Sequence, residues 1–164
     1  MTTGDHGAAA PPGLDGTGLR IGVVRARWNS PIVDRLAAGV GRGLSSLGVR
    51  PEDVVDVEVP GSFELPMGAR ILAASGKVDA VICLGSVIRG ETSHYDLVAG
   101  QAAAGIQEVQ LATGVPVAFG ILTTEDEAQA LARSEDVGGH NVGYDTAVVA
   151  VEMARLAQQY PSSS

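Results

Sequence analysis

Residues 85–96, Gly-Ser-Val-Ile-Arg-Gly-Glu-Thr-Ser-His-Tyr-Asp, hold the densest run of chemistry-bearing residues in the chain. Gly85 and Gly90 bracket its first half, Thr92 and Ser93 place hydroxyls at its far end, and His94 stands just before a helical pattern that begins at Leu97 and Val98. The apolar run before it, residues 78–84, reads as a buried strand that stops at Gly85. A strand that delivers a glycine-rich turn to a helix N-terminus makes an anion pocket, because unpaired backbone N–H groups point outward there. A histidine at that mouth can exchange protons with a bound ligand. The stretch therefore reads as a phosphate pocket beside acid–base chemistry, with a capping or packing role as the plainer alternative for His94.

The elements that must position this stretch follow from the rest of the chain. At 164 residues it is long enough for one domain that buries roughly 70% of its unfolded surface. The net charge of −8 and the absence of a Lys/Arg cluster argue against a nucleic-acid partner. No run reaches the ~20 apolar residues of a membrane span, and the first residues lack the basic start and apolar core of a signal peptide. Cys83 is the one cysteine, so no disulfide forms within the chain; it reads as a small buried hydrophobe in a reducing, cytoplasmic setting.

Residues 1–18, rich in Gly, Ala and Pro, read as a disordered tail that contains His6. A first strand is expected over 19–26. A helix follows, capped by Ser30 with Pro31 in its first turn and an apolar face of Ile32, Leu36, Val40, Leu44 and Leu47. A second strand spans 54–59, and a helix spans 65–74 with Pro66 in its first turn. The third strand covers 79–84, and a helix runs from 94 or 95 to 112. A fourth strand covers 115–122. Thr124 and Glu127 have capping-box spacing for a helix ending near Arg133. Residues 134–143 form a polar loop, a last helix spans 144–159, and residues 161–164 fray.

Strands alternating with helices imply a four-stranded parallel sheet covered on both faces, a three-layer α/β/α domain. Ligands of such folds sit beyond the C-terminal ends of the strands. Trp28, Phe63, Glu64 and His94 all follow strand ends and should converge there. Trp28, the only tryptophan, either covers the core or offers a flat platform to a heterocycle. Glu64 either complements a helix dipole or accepts hydrogen bonds from sugar hydroxyls. Arg133 is explained at a helix C-terminus by the dipole alone, and His140 reads as a solvated loop residue. No Cys/His grouping has zinc spacing, and no Walker or dinucleotide glycine pattern occurs, so neither metal nor nucleotide is indicated.

Four strings together resemble lumazine synthase: Arg27-Trp28-Asn29, residues 59–66 (VPGSFELP), residues 85–96, and residues 116–124 (PVAFGILTT). The resemblance runs from about residue 20 to 160, in order. It implies a flavodoxin-like domain over 19–160 that condenses 5-amino-6-(D-ribitylamino)uracil with 3,4-dihydroxy-2-butanone 4-phosphate, without cofactor or metal. By motif, Trp28 matches the aromatic that stacks on the pyrimidine, and Ser62, Phe63 and Glu64 match the segment that holds the ribityl chain. Ser86, Val87 and Ile88 match the backbone that reads the uracil edge, Gly90, Glu91 and Thr92 the phosphate loop, and His94 the proton-transfer residue. Phe119 and Arg133 match positions supplied by an adjacent subunit, the arginine reaching the phosphate. The resemblance thus implies a homo-oligomeric ring, a pentamer, in some members built into an icosahedral shell. It also exposes a departure: Val142 stands where the family has a lysine. Loss of a charge-assisted hydrogen bond of roughly 1.5–3 kcal/mol would weaken ligand binding about 10- to 150-fold. A non-catalytic or weakly active paralogue that binds ribityl-lumazine or flavin, or builds a shell, is the alternative. A generic flavodoxin-like binding domain explains the layers and not the pocket residues.

Overall fold

The computed structural model describes residues 10–163. Among these, four strands and five α-helices alternate: β1 (Ile21–Ala26), α1 (Ser30–Ser46), β2 (Val54–Val59), α2 (Leu65–Ala73), β3 (Ala80–Ile88), α3 (His94–Thr113), β4 (Val117–Thr124), α4 (Glu127–Ala132) and α5 (Val142–Gln159). All strand pairs are parallel, in the order β2-β1-β3-β4. The expected α/β/α layering with a four-stranded parallel sheet holds.

Alternation along β3 divides the core. Ala80, Ile82 and Leu84 join the apolar cluster of α1 and α5, which includes Leu36, Val40, Ala147 and Val151. Val81, Cys83 and Val87 join the cluster of α2 and α3, with Leu65, Ala102 and Ile106. A strand flanked on both sides and covered on both faces reads as a near-continuous apolar run; β3 is buried through Val87, with Ser86 its polar exception. β2 is an edge strand and instead presents Asp56 and Glu58, paired with Arg25 at 3.2 Å and Arg27 at 3.1 Å. Charges on an edge discourage pairing with another chain.

Cys83 lies wholly inside, and burial pushes its thiol up to about 12. Because the folded value lies above the unfolded one, the thiol favours the native state fully below about pH 9, and that contribution is lost as pH rises toward the folded value. Native protein is expected to leave an aromatic disulfide reagent unreacted at pH 8, with one thiol per chain titrating after denaturation. Fast reaction of native protein would contradict this burial.

Several element ends differ from the sequence expectation. β3 continues to Ile88, in register with β4 as far as Ile88↔Thr124. Gly85 reads as a turn residue, yet its role is close approach: a Cβ there would meet Ser62 Oγ at 2.5 Å and Leu65 Cδ1 at 3.1 Å. β4 accordingly extends to Thr124, which is no cap; Asp126 caps α4, its carboxylate accepting from Gln129 N at 2.8 Å. Asn29, not Ser30, occupies the N-cap position of α1. α5 begins at Val142 behind Asn141, whose side chain accepts from Tyr144 N at 3.2 Å.

The expected tail is also shorter. Residues 1–9, with His6, lie outside the described residues, but Leu14 packs on the core and the Gly16 N–H donates to Leu47 O. Arg155 ties this stretch down, donating to the carbonyls of Asp15 and Thr17, each at 2.8 Å. Those partners lie about 140 residues away in sequence, beyond any local composition signal. At the other end, Pro161–Ser163 are exposed without regular structure.

Candidate active site

Three consecutive parallel strands deliver their following segments to one end of the sheet. Beyond β1, the N–H groups of Arg27 and Trp28 donate to Val59 O at 2.8 Å and Pro60 O at 3.1 Å, carrying the β1–β2 ladder two residues past the strand. Trp28 is 75% exposed, which rules out the reading that it covers this chain's own core. Beyond β2, Ser62–Glu64 form a 3₁₀ turn that runs into α2. Ser62 is buried against Gly85, while Phe63 is 59% exposed and Glu64 is exposed. Glu64 stands at the N-cap of α2 but makes no capping hydrogen bond, and no salt bridge among the described residues involves it. Its carboxylate is available to accept hydroxyl donors.

Beyond β3 comes the loop to α3. Ser86 and Val87 are buried and Ile88 is half-buried. The Ser86 hydroxyl is buried without a partner among the described residues. Gly90, Glu91, Thr92 and His94 are all exposed. Thr92 Oγ1 accepts from the His94 N–H at 3.3 Å, and Ser93 at the N-cap of α3 makes no side-chain cap. The amino end of a 20-residue helix therefore faces outward beside the His94 ring.

Arg89 staples this loop and was not singled out from the sequence. Its N–H continues the β3–β4 ladder to Thr124 O at 2.8 Å, and its guanidinium donates to Glu125 at 3.1 Å. The same group lies 3.7 Å from Asp96 and 4.3 Å above the centre of the Tyr95 ring. The bond to Glu125, above all, raises its already high pKa. Arg89 is thus a cation turned toward the β4–α4 side.

Phe119 and Arg133 do not join this group. Phe119 pairs with Cys83 midway along the edge strand β4, three residues before Leu122 pairs with Ser86, and is 43% exposed. At about 3.3 Å per residue, that places it roughly 10 Å down the strand from the level of Ser86. Arg133 follows α4, exposed, with its guanidinium on Gln129 O at 3.0 Å.

The family model described as 6,7-dimethyl-8-ribityllumazine synthase matches residues 18–158. The chain belongs to the 6,7-dimethyl-8-ribityllumazine synthase family. Proteins carrying that name from Paraburkholderia phytofirmans and Paraburkholderia xenovorans are each 50% identical to it over 146 residues, covering 89% of this chain and 84% of theirs. One from Paraburkholderia phymatum is 49% identical over 146 residues, covering 89% of this chain and 82% of its own.

The loop before α5 holds the position where the resemblance leads one to expect a lysine. Val142, at the expected lysine position, packs against the α1/α5 core, and its N–H donates to Arg133 O at 2.8 Å. His140 is not a solvated loop residue: its Nε2 lies 3.2 Å from Asp145 Oδ2. Asn141 holds the loop from inside, donating to Arg35 O at 3.1 Å and Glu135 O at 3.0 Å. Arg35 and Arg42 on α1 reach Ser134 Oγ and Glu135 O, both at 3.3 Å. Asn141 before a helical run was a legible cap signal, whereas the two arginines read only as exposed helix residues. Hollows of about 420 Å³, beside His140 and Tyr144, and about 250 Å³, beside Arg35 and Arg42, belong to this loop. The exposed sheet-end residues Trp28, Phe63, Glu64 and His94, an open shelf, line neither hollow, whereas His140, Tyr144 and Asp145 line the larger one.

Proposed function

We propose that the protein condenses 5-amino-6-(D-ribitylamino)uracil with 3,4-dihydroxy-2-butanone 4-phosphate to 6,7-dimethyl-8-ribityllumazine, releasing phosphate and two waters. The observation that carries this reading is identity of 50% over 146 residues to curated synthases, in a chain whose Trp28, Glu64 and His94 follow β1, β2 and β3. The same identity speaks against the non-catalytic alternative. The Trp28 face stacks on the pyrimidine, as its exposure allows. Glu64, with the Ser62–Phe63 turn, accepts from the ribityl hydroxyls, and the Ser86–Ile88 backbone reads the uracil edge. Gly90, Glu91 and Thr92 hold the phosphate near the open end of α3.

The 5-amino group attacks the ketone and expels water as an imine. Loss of the adjacent C–H proton then drives phosphate off, and the resulting enol takes a proton to become a methyl ketone. The ribitylamino nitrogen closes the ring on that ketone and expels the second water. Each step moves a proton, and His94 is the exposed group placed to carry it. None of these steps is a redox step, so no cofactor is required.

Arg89, the cation of this loop, is tied to Glu125, which leaves the phosphate charge to be met from elsewhere. Arg133 and Phe119 of an adjacent subunit complete the shelf in this reading, which makes the functional unit a ring, a pentamer, with further assembly into an icosahedral shell as an elaboration. A cytoplasmic location fits riboflavin biosynthesis, and among the described residues no helix is long and apolar enough to cross a membrane. Purified protein mixed with both substrates is expected to form the lumazine chromophore faster than the uncatalysed reaction. A rate equal to the blank would overturn the reading.

A further inference from the structure

The chain leaves β1 for β2 on one side and returns to β3 on the other, so the strand order reverses between β1 and β3. Ligands of open parallel sheets sit at such a point, and Asn29 spans it. Asn29 is the one non-glycine residue with positive φ among those described, at φ 62° and ψ 37°. Asparagine tolerates this left-handed conformation better than most residues, yet its side chain does not do what its position suggests. It stands at the N-cap of α1 and makes no capping bond. Nδ2 donates instead to the Ser86 carbonyl at 2.7 Å.

That carbonyl lies just past the end of the β1–β3 ladder. The N–H groups of Val81 and Arg89 donate to Pro116 and Thr124 on the β4 side, so the alternating groups of Ser86 face β1. Pairing of β1 with β3 ends at Arg25↔Leu84, two residues short. The Asn29 amide supplies the N–H that a longer β1 would have provided. Ser86 is 4% exposed, so water is a poor substitute.

We propose that Asn29 is a positioning residue for the pyrimidine: its amide, bonded to Ser86, fixes the Trp28 ring over the Ser86–Ile88 backbone so that both meet the ligand together. Trp28 is anchored from the other side by its own N–H on Pro60, so Asn29 is what joins the β1 loop to β3. The ligand's identity rests on the functional reading above; the clamp does not.

Two variants separate the clamp from the backbone. Asn29→Gly keeps the left-handed conformation and removes the amide, and Asn29→Asp keeps shape and tolerance but turns an acceptor on the Ser86 carbonyl. Trp28 is the only tryptophan, so fluorescence reads this ring alone. Both variants are expected to raise the KM for the pyrimidine substrate roughly tenfold while the KM for the butanone phosphate stays within about twofold. Both should also lower Trp28 anisotropy at unchanged assembly size. Wild-type kinetics in Asn29→Gly, equal rises for both substrates, or unchanged anisotropy would overturn the proposal. If wild-type protein shows no turnover, the functional reading fails and the anisotropy comparison still decides the clamp. If one variant does not fold the other carries the test, and if neither folds the role is structural and the proposal falls.

Discussion

Replacing His94 by alanine is expected to lower kcat about 10- to 100-fold, at and below the lower end of what general acid–base catalysis contributes. Three proton transfers accompany imine formation, phosphate loss and ring closure, and water reaching an open shelf supplies part of each. The loss is therefore smaller than for a histidine in a sealed site. His94→Gln should fall equally, since the amide keeps size and hydrogen bonding but cannot exchange a proton at neutral pH. KM for either substrate should change little, because the proposed site holds the phosphate by the loop and the ring by Trp28, not by His94. Assembly should be intact: the His94 ring is exposed, and the hydrogen bond at this residue runs from its backbone N–H to Thr92. Single-turnover kinetics with light scattering on the same samples test all three statements. Undiminished turnover in both variants would remove His94 from the proton path.

How far the sequence anticipates these features depends on whether a residue's partner is near it in the chain. The order of strands and helices is legible because apolar runs and three-to-four spacings are local. The three segments beyond β1, β2 and β3 are legible for the same reason, combined with the rule that ligands lie beyond strand ends. Element ends are less so. Gly85 and Ser86 look like a turn, and become strand because Ser62, from the 3₁₀ turn before α2, packs where a Cβ would stand. Asn29 looks like a cap neighbour and becomes a clamp because the β1–β3 ladder stops short of Ser86. Residues 14–18 look like tail and are fastened by Arg155 from α5. Arg89, in the middle of the phosphate stretch, carries no signal of its own in the sequence and is taken by Glu125. In each case a partner brought from elsewhere in the chain by the fold decided what the local signal alone did not.

The same principle makes Gly143 a damaging site in the scaffold, although it lies far from the shelf. In sequence it is one glycine of several in a polar loop. In the fold it is where α5 touches α1: a Cβ would meet Leu36 O at 2.0 Å, Leu36 C at 2.8 Å and Asn141 Oδ1 at 2.9 Å. The obstacle is backbone, so α5 must move outward. That movement strains the buried Asn141 bonds to Arg35 O and Glu135 O and opens the apolar contact of Ala147 and Val151 with α1. Overpacking costs roughly 1–3 kcal/mol and a broken buried hydrogen bond about 1–3, against a gain of about 1 for alanine over glycine in a helix. Gly143→Ala is therefore expected to lose about 3 kcal/mol, a fall in Tm of roughly 6–12 °C for a chain this long. Gly41→Ala on α1, where a Cβ meets nothing within 4 Å, supplies the opposite sign: up to about 1 kcal/mol of stabilisation. Calorimetry of both variants at equal protein concentration separates steric conflict from helix propensity, since propensity alone would raise both Tm values. The functional consequence is specific as well. Arg133 O accepts from Val142 N at 2.8 Å, one residue before the strained position. Displacing α5 therefore displaces the arginine proposed for the neighbouring phosphate, and the KM for the butanone phosphate should rise in Gly143→Ala well below its Tm, while the KM for the pyrimidine does not.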